Sequence, residues 1–355
     1  MKGPALIRVD GARHIGMGHV VRCLGFAQAL KNHDVESIFV IRDHERKVVD
    51  LPGSHGFPTH IINKEKTFQE DAVITAQLAK THNARFVIVD LSNEDNLAKR
   101  SDYLDFFKTF KTAGKFLIVI DDYEKVDFPF DLQIIPYCGA EHMKYKFFNG
   151  TKYLLGCSYY IVAPNLAECA RRSRVIRKDG KKVLVTMGGS DPTSLTLDVA
   201  QALLKLKHHG LEVKIVVGAC FTEEINRQLR DIMKSFAGPH ELCFHGSIPE
   251  LMLWSDIAIT GVGLTRYEAA LTGTPNICIT RNRLEEYAND KFISAGTSCH
   301  LSVPDKTSQN YITKEIDRLL RDFGDREKMF KTGKNLIDGR GAERIIAELC
   351  KGSLV

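Results

Sequence analysis

The sequence of 355 residues lacks the features that mark several classes of protein. Its nine cysteines are scattered, with no Cys-x-x-Cys pair and no Cys/His spacing suited to zinc. An odd, dispersed set of cysteines indicates reduced and mostly buried thiols. We therefore expect a cytoplasmic protein without a zinc site of this kind, and we assign no cofactor to it.

Long apolar runs and basic blocks are also missing. No window reaches the roughly 18 uninterrupted apolar residues of a membrane span, and the start MKGPALIRVDGARH has no apolar core of a signal peptide. Lys and Arg exceed Asp and Glu by 49 to 44, a mild net charge of +5 without basic runs interleaved with aromatics. We expect neither a membrane span nor a nucleic-acid partner, whereas a small phosphorylated substrate suits this charge. The oligomeric state stays open.

Short apolar runs alternate with longer amphipathic segments along most of the chain. ALIRVD, FVIVD and FLIVI precede the break at the basic stretch 168–182, and VLVTM, DIAIT and NICIT follow it. Strongly apolar strands separated by helices predict parallel sheets covered on both faces. We expect two α/β domains, 1–165 and 166–338, that meet at a cleft, with 339–355 as a helix packing back on the first domain.

The stretch IGMGHVVRC lies where the first strand should lead into a helix. Gly16 and Gly18 allow backbone to approach an anion or a substrate at the helix N-terminus. The dinucleotide fingerprint is incomplete, because Val21 occupies its third glycine position, which disfavours a nicotinamide cofactor. His19 is a candidate general base that the helix dipole keeps neutral, or else it only caps the helix.

Three charged residues lie near this loop in sequence: Arg8, Asp10 and Arg22. They could orient His19 or hold a sugar. They could equally pair with one another and fix the loop. The residues alone do not separate these alternatives.

The second half contains two further glycine-bearing loops. In VTMGGSDPT, Gly188, Gly189 and Ser190 form either a substrate loop or the start of a well-capped helix. In TGVGLTRYEAALTGTP, Gly263, Leu264 and Thr265 lead into a helix whose first N–H groups could bind a pyrophosphate.

Glu268, one turn inside that helix, could accept hydrogen bonds from both ribose hydroxyls. The alternative is a carboxylate paired with Arg266 or Arg281. Asn282 follows the next strand and is either a cleft residue or a surface helix cap.

The motifs RVDGARHIGMGHVVRC, VTMGGSDPT and GLTRYEAALTGTP resemble a known family. It comprises the UDP-2,4-diacetamido-2,4,6-trideoxy-β-L-altropyranose hydrolases of pseudaminic acid biosynthesis (PseG/SpsG-like), which are related to MurG-type glycosyltransferases. The resemblance spans roughly residues 5 to 296. It implies a GT-B fold, with two Rossmann-like domains around a cleft, and an enzyme that needs no metal.

The resemblance also implies roles for individual residues. His19 would match the base that activates water for inverting attack at the anomeric carbon, with release of UDP. Glu268 would match the ribose-binding glutamate, and the loop before it would face the pyrophosphate. Gly188, Gly189 and Ser190 would match the family's Gly-Gly loop. Tyr159 and Asn282 would match conserved substrate-side positions of the family pattern.

The chain departs from the family pattern mainly where the sugar would bind. Leu91 and Ser92 replace His-Tyr after an aspartate, Ala163 replaces an arginine, and Arg283 replaces the glutamine of an Asn-Gln pair. A UDP-sugar hydrolase is therefore the leading hypothesis. A GT-B glycosyltransferase acting on a hydroxyl acceptor is the alternative, and a non-catalytic nucleotide-sugar binding protein is a third.

Overall fold

A computed structural model describes the chain except for residues 1–2, 13–14, 16, 92–99, 121–127, 143–147, 190, 192, 208–209, 219–220, 245, 281–289, 303–308 and 352–355. It divides into two compact units, Met1–Pro164 with Gly339–Val355, and Asn165–Asp338. The sequence predicts domain boundaries directly after residue 165 and directly after residue 338. Each unit is described below by itself.

The first unit is a seven-stranded parallel sheet with strand order β3-β2-β1-β4-β5-β6-β7. Its five inner strands are strongly apolar and buried because helices cover both faces, whereas the edge strands β3 and β7 are partly exposed. The strands are β1 Ala5–Val9, β2 Ser37–Arg42, β3 Thr59–Ile62, β4 Phe86–Asp90, β5 Phe116–Ile120, β6 Leu132–Ile135 and β7 Lys152–Leu155. The helices are α1 Gly18–Lys31, α2 Arg46–Ser54, α3 Phe68–Thr81 and α4 Arg100–Thr112, with 3₁₀ turns at Ala140–His142 and Cys157–Tyr159.

The second unit is a six-stranded parallel sheet with order β10-β9-β8-β11-β12-β13. Its strands are β8 Lys182–Thr186, β9 Glu212–Val216, β10 His240–Cys243, β11 Ile257–Thr260, β12 Asn276–Thr280 and β13 Ser298–Ser302. Its helices are α5 Pro164–Arg171, which starts at the last residue of the first unit, α6 Leu195–Leu204, α7 Glu223–Lys234, α8 Ile248–Trp254, α9 Thr265–Thr272, α10 Gln309–Arg321 and α11 Phe323–Leu336. Among the described residues, no helix is both long and apolar enough to span a membrane.

The last helix, α12 Gly341–Lys351, belongs to the first unit. Ile345, Ile346 and Leu349 place its apolar face in the core beside α1. A Cβ atom on Gly341 would lie 2.2 Å from the carbonyl oxygen of Tyr160, so glycine is required where α12 begins. The C-terminal segment thus completes the core that the N-terminal segment starts.

The sequence predicts helices over 193–207, 222–236, 249–254, 264–272 and 310–322, and α6, α7, α8, α9 and α10 begin and end within three residues of these bounds. Helix α11 is an exception, since the polar segment 323–336 carries no clear apolar period and we do not predict it. Gly333 lies there in contact with α9, and a Cβ atom would be 2.7 Å from the carbonyl oxygen of Ala270. Close backbone packing, rather than an apolar stripe, therefore positions this helix.

Gly25, in the middle of α1, provides a test of the packing in the first unit. Glycine in a helix interior normally costs about 0.5–1 kcal/mol relative to alanine, so Gly25→Ala should stabilise an isolated helix. Here a Cβ atom would lie 2.0 Å from the carbonyl oxygen of Val162. We expect Gly25→Ala to lower the free energy of unfolding by about 1–3 kcal/mol because of overpacking, measured by urea denaturation.

Gly53→Ala is the matched control, because Gly53 is also helical and has open space around its Cβ position. It should leave stability unchanged or raise it by up to about 1 kcal/mol. Equal effects of the two substitutions would contradict the close approach of α1 and residue 162.

Candidate active site

The candidate site of the first unit lies at the point where the strand order reverses. Strands β1 and β4 are neighbours there, with Val9 in register with Asp90. In open parallel sheets, ligands bind outside the carboxyl ends of the strands at such a switch point. The chain leaves β1 into the glycine-bearing loop and enters α1 at Gly18, which makes His19 the second helical residue.

His19 is bound to the carboxylate at the end of β4. Its Nδ1 lies 2.7 Å from Oδ1 of Asp90, and the two residues are 8% and 0% exposed. A contact this short between a ring nitrogen and a carboxylate favours a proton on Nδ1, since two lone pairs would repel each other. The tautomer so fixed carries its lone pair on Nε2, the arrangement of a histidine that accepts a proton.

Arg22 holds the same carboxylate from the next turn of α1. Its Nε donates to Oδ2 and its Nη2 to Oδ1 of Asp90, each at 2.5 Å, which is a bidentate pair. Its Nη1 donates to the hydroxyl of Tyr137, and its Nη2 lies 3.1 Å from Nδ1 of His19. His19 and Arg22 are three residues apart and so share one helix face, which orients both toward Asp90.

The electrostatics make Asp90 a permanent anion. Burial alone would raise the pKa of its carboxyl, but the Arg22 guanidinium and His19 outweigh burial and hold the pKa well below its usual range. Cys23 adds a contact of 3.4 Å from Sγ to Oδ2, and burial raises the pKa of that thiol, so it stays protonated. The structure places a carboxylate and a guanidinium beside the His19 ring.

Arg8 and Asp10 form an ion pair, which is one of the two alternatives left open by the sequence. Arg8 Nη1 lies 2.6 Å from Oδ1 of Asp10, and Arg8 Nη2 lies 2.7 Å from Oδ2 of Asp71. Arg42 joins them, with Nε 2.9 Å from Oδ2 of Asp71 and its backbone N–H donating to Asp10. This buried network of two arginines and two aspartates ties β1, β2 and α3 together.

Two other predicted positions of the first unit lie apart from this network or outside the described residues. The ring of Tyr159, in a 3₁₀ turn, packs against the apolar core, so its role as a substrate contact stays a prediction. Gly16 and Ser92 lie outside the described residues, whereas Leu91, which follows Asp90, is buried.

The Gly-Gly loop of the second unit follows β8, which neighbours β11 at that sheet's own switch point. Gly188 has φ of +91°, a conformation that favours glycine, and Gly218 contacts the carbonyl groups of Gly188 and Gly189 so closely that it has no room for a Cβ. The carboxylate of Asp191 accepts the N–H groups of Leu195 and Thr196 at the start of α6. These donors are thus already used, as the capped-helix alternative predicts; Ser190 lies outside the described residues.

The loop after β11 is different, because α9 has no side-chain cap. Its N-cap residue is Leu264, Thr265 opens the helix, and Gly263 is exposed with open space around its Cβ position. Uncapped first-turn N–H groups are the donors that bind phosphate oxygens.

Glu268 does not pair with Arg266. The Arg266 guanidinium donates instead to the carbonyl oxygen of Gly263 and lies over the rings of Tyr267 and Phe292. Burial raises the pKa of the Glu268 carboxyl to about 7, and within the described part of the chain no ion pair offsets this. Asn282, Arg281 and Arg283 lie outside the described residues.

Four residues that contact the predicted site residues are not themselves predicted as site residues from the sequence: Asp90, Tyr137, Asp71 and Arg42. One signal identifies Asp90, because it is the polar last residue of the apolar strand that follows β1 in the sheet order. The other three come from separate segments, and only the folded chain brings them together. In the described ranges, no three His, Cys, Asp or Glu side chains group as metal ligands would.

Comparisons with known proteins show relatives at low identity. No family model matches the chain. It is 27% identical over 312 residues to the uncharacterized protein MJ1062 of Methanocaldococcus jannaschii, covering 83% of this chain and 59% of that relative, so the chain spans less than two thirds of it. It is 23% identical over 348 residues to the spore coat polysaccharide biosynthesis protein SpsG of Bacillus subtilis, covering 97% and 96% of the two chains.

Solved structures share the fold. MurG of Acinetobacter baumannii matches with a TM-score of 0.69 at 12% identity, over 98% of this chain and 99% of that one. The UDP-GlcNAc 2-epimerase of Neisseria meningitidis, solved with UDP-GlcNAc, matches with a TM-score of 0.67 at 13% identity, over 98% and 100%. These similarities confirm the predicted α/β fold of the GT-B type and the predicted resemblance to SpsG and to MurG-like proteins.

Proposed function

We propose that this protein is an enzyme of sugar biosynthesis that cleaves a UDP-sugar by hydrolysis, with His19 as the general base. The pairing of His19 with Asp90 at the β1/β4 switch point is the observation that carries the proposal. The relationship to SpsG supports a role in making a surface carbohydrate, and the epimerase solved with UDP-GlcNAc supports a UDP-sugar as the ligand.

In the proposed hydrolysis, each unit has a separate role. In the first unit, Asp90 accepts a hydrogen bond from Nδ1–H of His19, so that Nε2 takes a proton from water as the water oxygen attacks the anomeric carbon. The bond from that carbon to the diphosphate oxygen breaks, and UDP leaves with the electron pair. Attack from the side opposite the leaving group inverts the configuration.

The second unit binds the nucleotide. The uncapped start of α9, with Gly263, Leu264 and Thr265, offers N–H groups and a positive dipole end to the negative charge that grows on the departing diphosphate. Glu268 accepts the ribose hydroxyls. Because this stabilisation comes from backbone groups placed beforehand, the cleavage needs no metal.

A glycosyltransferase is the second candidate, in which His19 takes its proton from an acceptor hydroxyl instead of water. The departures at Leu91, Ser92, Ala163 and Arg283 favour it, because they change the residues that would contact the sugar. Release of UDP that requires an added acceptor distinguishes transfer from hydrolysis.

His19→Ala tests the base. Loss of a general base reduces turnover by about 10²–10⁴-fold, so UDP release from a panel of UDP-sugars should fall by this factor. UDP should still bind, since the nucleotide-binding groups belong to the second unit. His55→Ala, at an exposed position of the first unit, is the control and should keep full turnover. Unchanged turnover in His19→Ala would exclude His19 from the reaction.

Asp90→Asn tests the positioning of His19. An amide keeps the shape but no longer holds the imidazole in one tautomer, and we expect turnover to fall by about 10²–10⁴-fold. The substitution also removes the bidentate carboxylate partner of the buried Arg22, which should cost about 3–5 kcal/mol of unfolding free energy. Turnover at saturating substrate and urea denaturation measure the two effects. A variant that is destabilised yet fully active would reduce Asp90 to a structural role.

The raised pKa of Glu268 predicts how UDP affinity depends on pH. Ribose hydroxyls donate to the charged carboxylate, so the ligand binds the deprotonated form and binding below the pKa releases a proton. With a pKa of about 7 in the unliganded protein, UDP affinity should be fully developed at pH 8 and fall as the pH drops through 7. We expect Kd to rise about tenfold between pH 8 and pH 6.

Isothermal titration calorimetry across this range measures the effect. Glu268→Gln removes the titrating group, so this variant should bind UDP weakly, with a Kd that changes little between pH 6 and pH 8. Any pH dependence that comes from the UDP phosphates should be present in both proteins. Parallel pH profiles of the two proteins would show that Glu268 does not contact the nucleotide.

A further inference from the structure

The first unit contains a cavity that the proposed reaction does not use. It has a volume of about 860 Å³ and lies beyond the carboxyl ends of β2 and β3, away from the β1/β4 switch point. Residues that follow these two strands, together with the start of α3, line part of it: Arg42, His44, Lys64, Lys66 and Thr67. Helix α4 adds Asp102, Asp105, Lys108, Thr109 and Thr112, and Glu65, Phe68 and Gln69 complete the lining.

Arg42 is held rigidly at this cavity. Its residue is only 7% exposed, its Nε donates to Asp71 at 2.9 Å, and its guanidinium lies 5.1 Å from the centre of the Phe68 ring. Its Nη2 is buried and has no hydrogen-bond partner among the described residues. A buried guanidinium nitrogen without an acceptor costs free energy, and an anionic oxygen supplies the acceptor that it lacks.

The cations around Arg42 reinforce this preference. Lys64 and Lys66 follow β3, and although Lys66 pairs with Glu70 at 2.7 Å, both ammonium groups belong to the cavity wall. At the N-terminus of α3, Thr67 and Glu70 form a capping box that uses the N–H groups of these two residues and places the Glu70 carboxylate at the positive end of the helix. Side-chain cations, rather than a helix end, therefore determine what this wall attracts.

The α4 wall has a different chemistry. It presents carboxylates and hydroxyls, and Asp105 is paired with Lys108 at 2.9 Å. Glu65 adds a third carboxylate to the lining. A ligand that meets both walls must bring negative charge to Arg42 and hydrogen-bond donors to α4.

We propose that this cavity binds a small polyhydroxylated molecule that carries a carboxylate or a phosphate, with Arg42 and Lys64 binding the anionic group and α4 accepting its hydroxyls. Such a ligand is an acidic or phosphorylated sugar. The site is separate from His19, and its occupancy does not depend on cleavage of a UDP-sugar.

Calorimetric titration of the full-length protein tests this with four probes: glucuronate, glucose 6-phosphate, inorganic phosphate and neutral glucose. We expect saturable binding of at least one of the two charged hexoses, and binding of inorganic phosphate and glucose that is at least tenfold weaker. Glucuronate alone would identify the natural ligand as a carboxylate, and glucose 6-phosphate alone as a phosphate. Equal binding of glucose, or no binding of either charged hexose, would overturn the proposal.

Substitutions locate the binding. Lys64→Glu changes an exposed side chain of the cavity wall and should weaken binding by at least about tenfold without changing the unfolding midpoint. Lys80→Glu, an equally exposed lysine on α3 outside the lining, is the matched control and should bind normally. Arg42→Gln should lose binding, with its unfolding midpoint measured alongside because Asp71 loses a partner. Equal affinities of the Lys64 and Lys80 variants would overturn the assignment.

Discussion

The fully buried carboxylate of Asp90 is the constraint on which the arrangement of the first unit depends. A lone carboxylate at that position would cost several kcal/mol of desolvation, so the fold must supply partners or leave the group protonated. Arg22 and His19 are those partners, and both come from α1. Because a bidentate guanidinium contact tolerates little displacement, it fixes the rotation of α1 about its axis and its height above the sheet. The orientation of the imidazole follows from the same pair of bonds.

Buried charges are also paired in the neighbouring network, which consists of Arg8, Asp10, Asp71 and Arg42. Two cations and two anions balance, and most of their hydrogen-bonding groups are used within the network. Buried ion pairs of this kind add little net stability compared with apolar packing, but removing one member is costly. The main effect of the network is therefore on geometry. It fixes the ends of β1 and β2 relative to α3 and holds Arg42 in a single position at the cavity.

The sequence predicts the fold well, because strongly apolar strands alternating with helices leave few topologies open. It also makes His19 a candidate, since a histidine that follows two glycines at a strand-to-helix junction is a local signal. It does not identify Tyr137, which reaches Arg22 across 115 residues, nor decide whether Arg8 orients a histidine or pairs with an aspartate. Those outcomes depend on tertiary neighbours that no local period encodes. Helix α11 is missed for the same reason, as Gly333 positions it through contact with α9.

The two carboxylates at the candidate sites show how environment assigns opposite properties to one functional group. Asp90 has a guanidinium and an imidazole beside it, and its pKa lies well below the usual range, so it remains an anion that orients. Glu268 is half-buried and has no ion-pair partner among the described residues, and desolvation of its carboxyl raises its pKa to about 7. A carboxylate satisfied inside the protein has little left to offer a ligand, whereas one that is desolvated and unpaired gains most when hydroxyl donors arrive. Internal partners thus fix the charge and the orientation of Asp90, whereas the Glu268 carboxylate has no ion-pair partner among the described residues, as the proposed ribose contact requires.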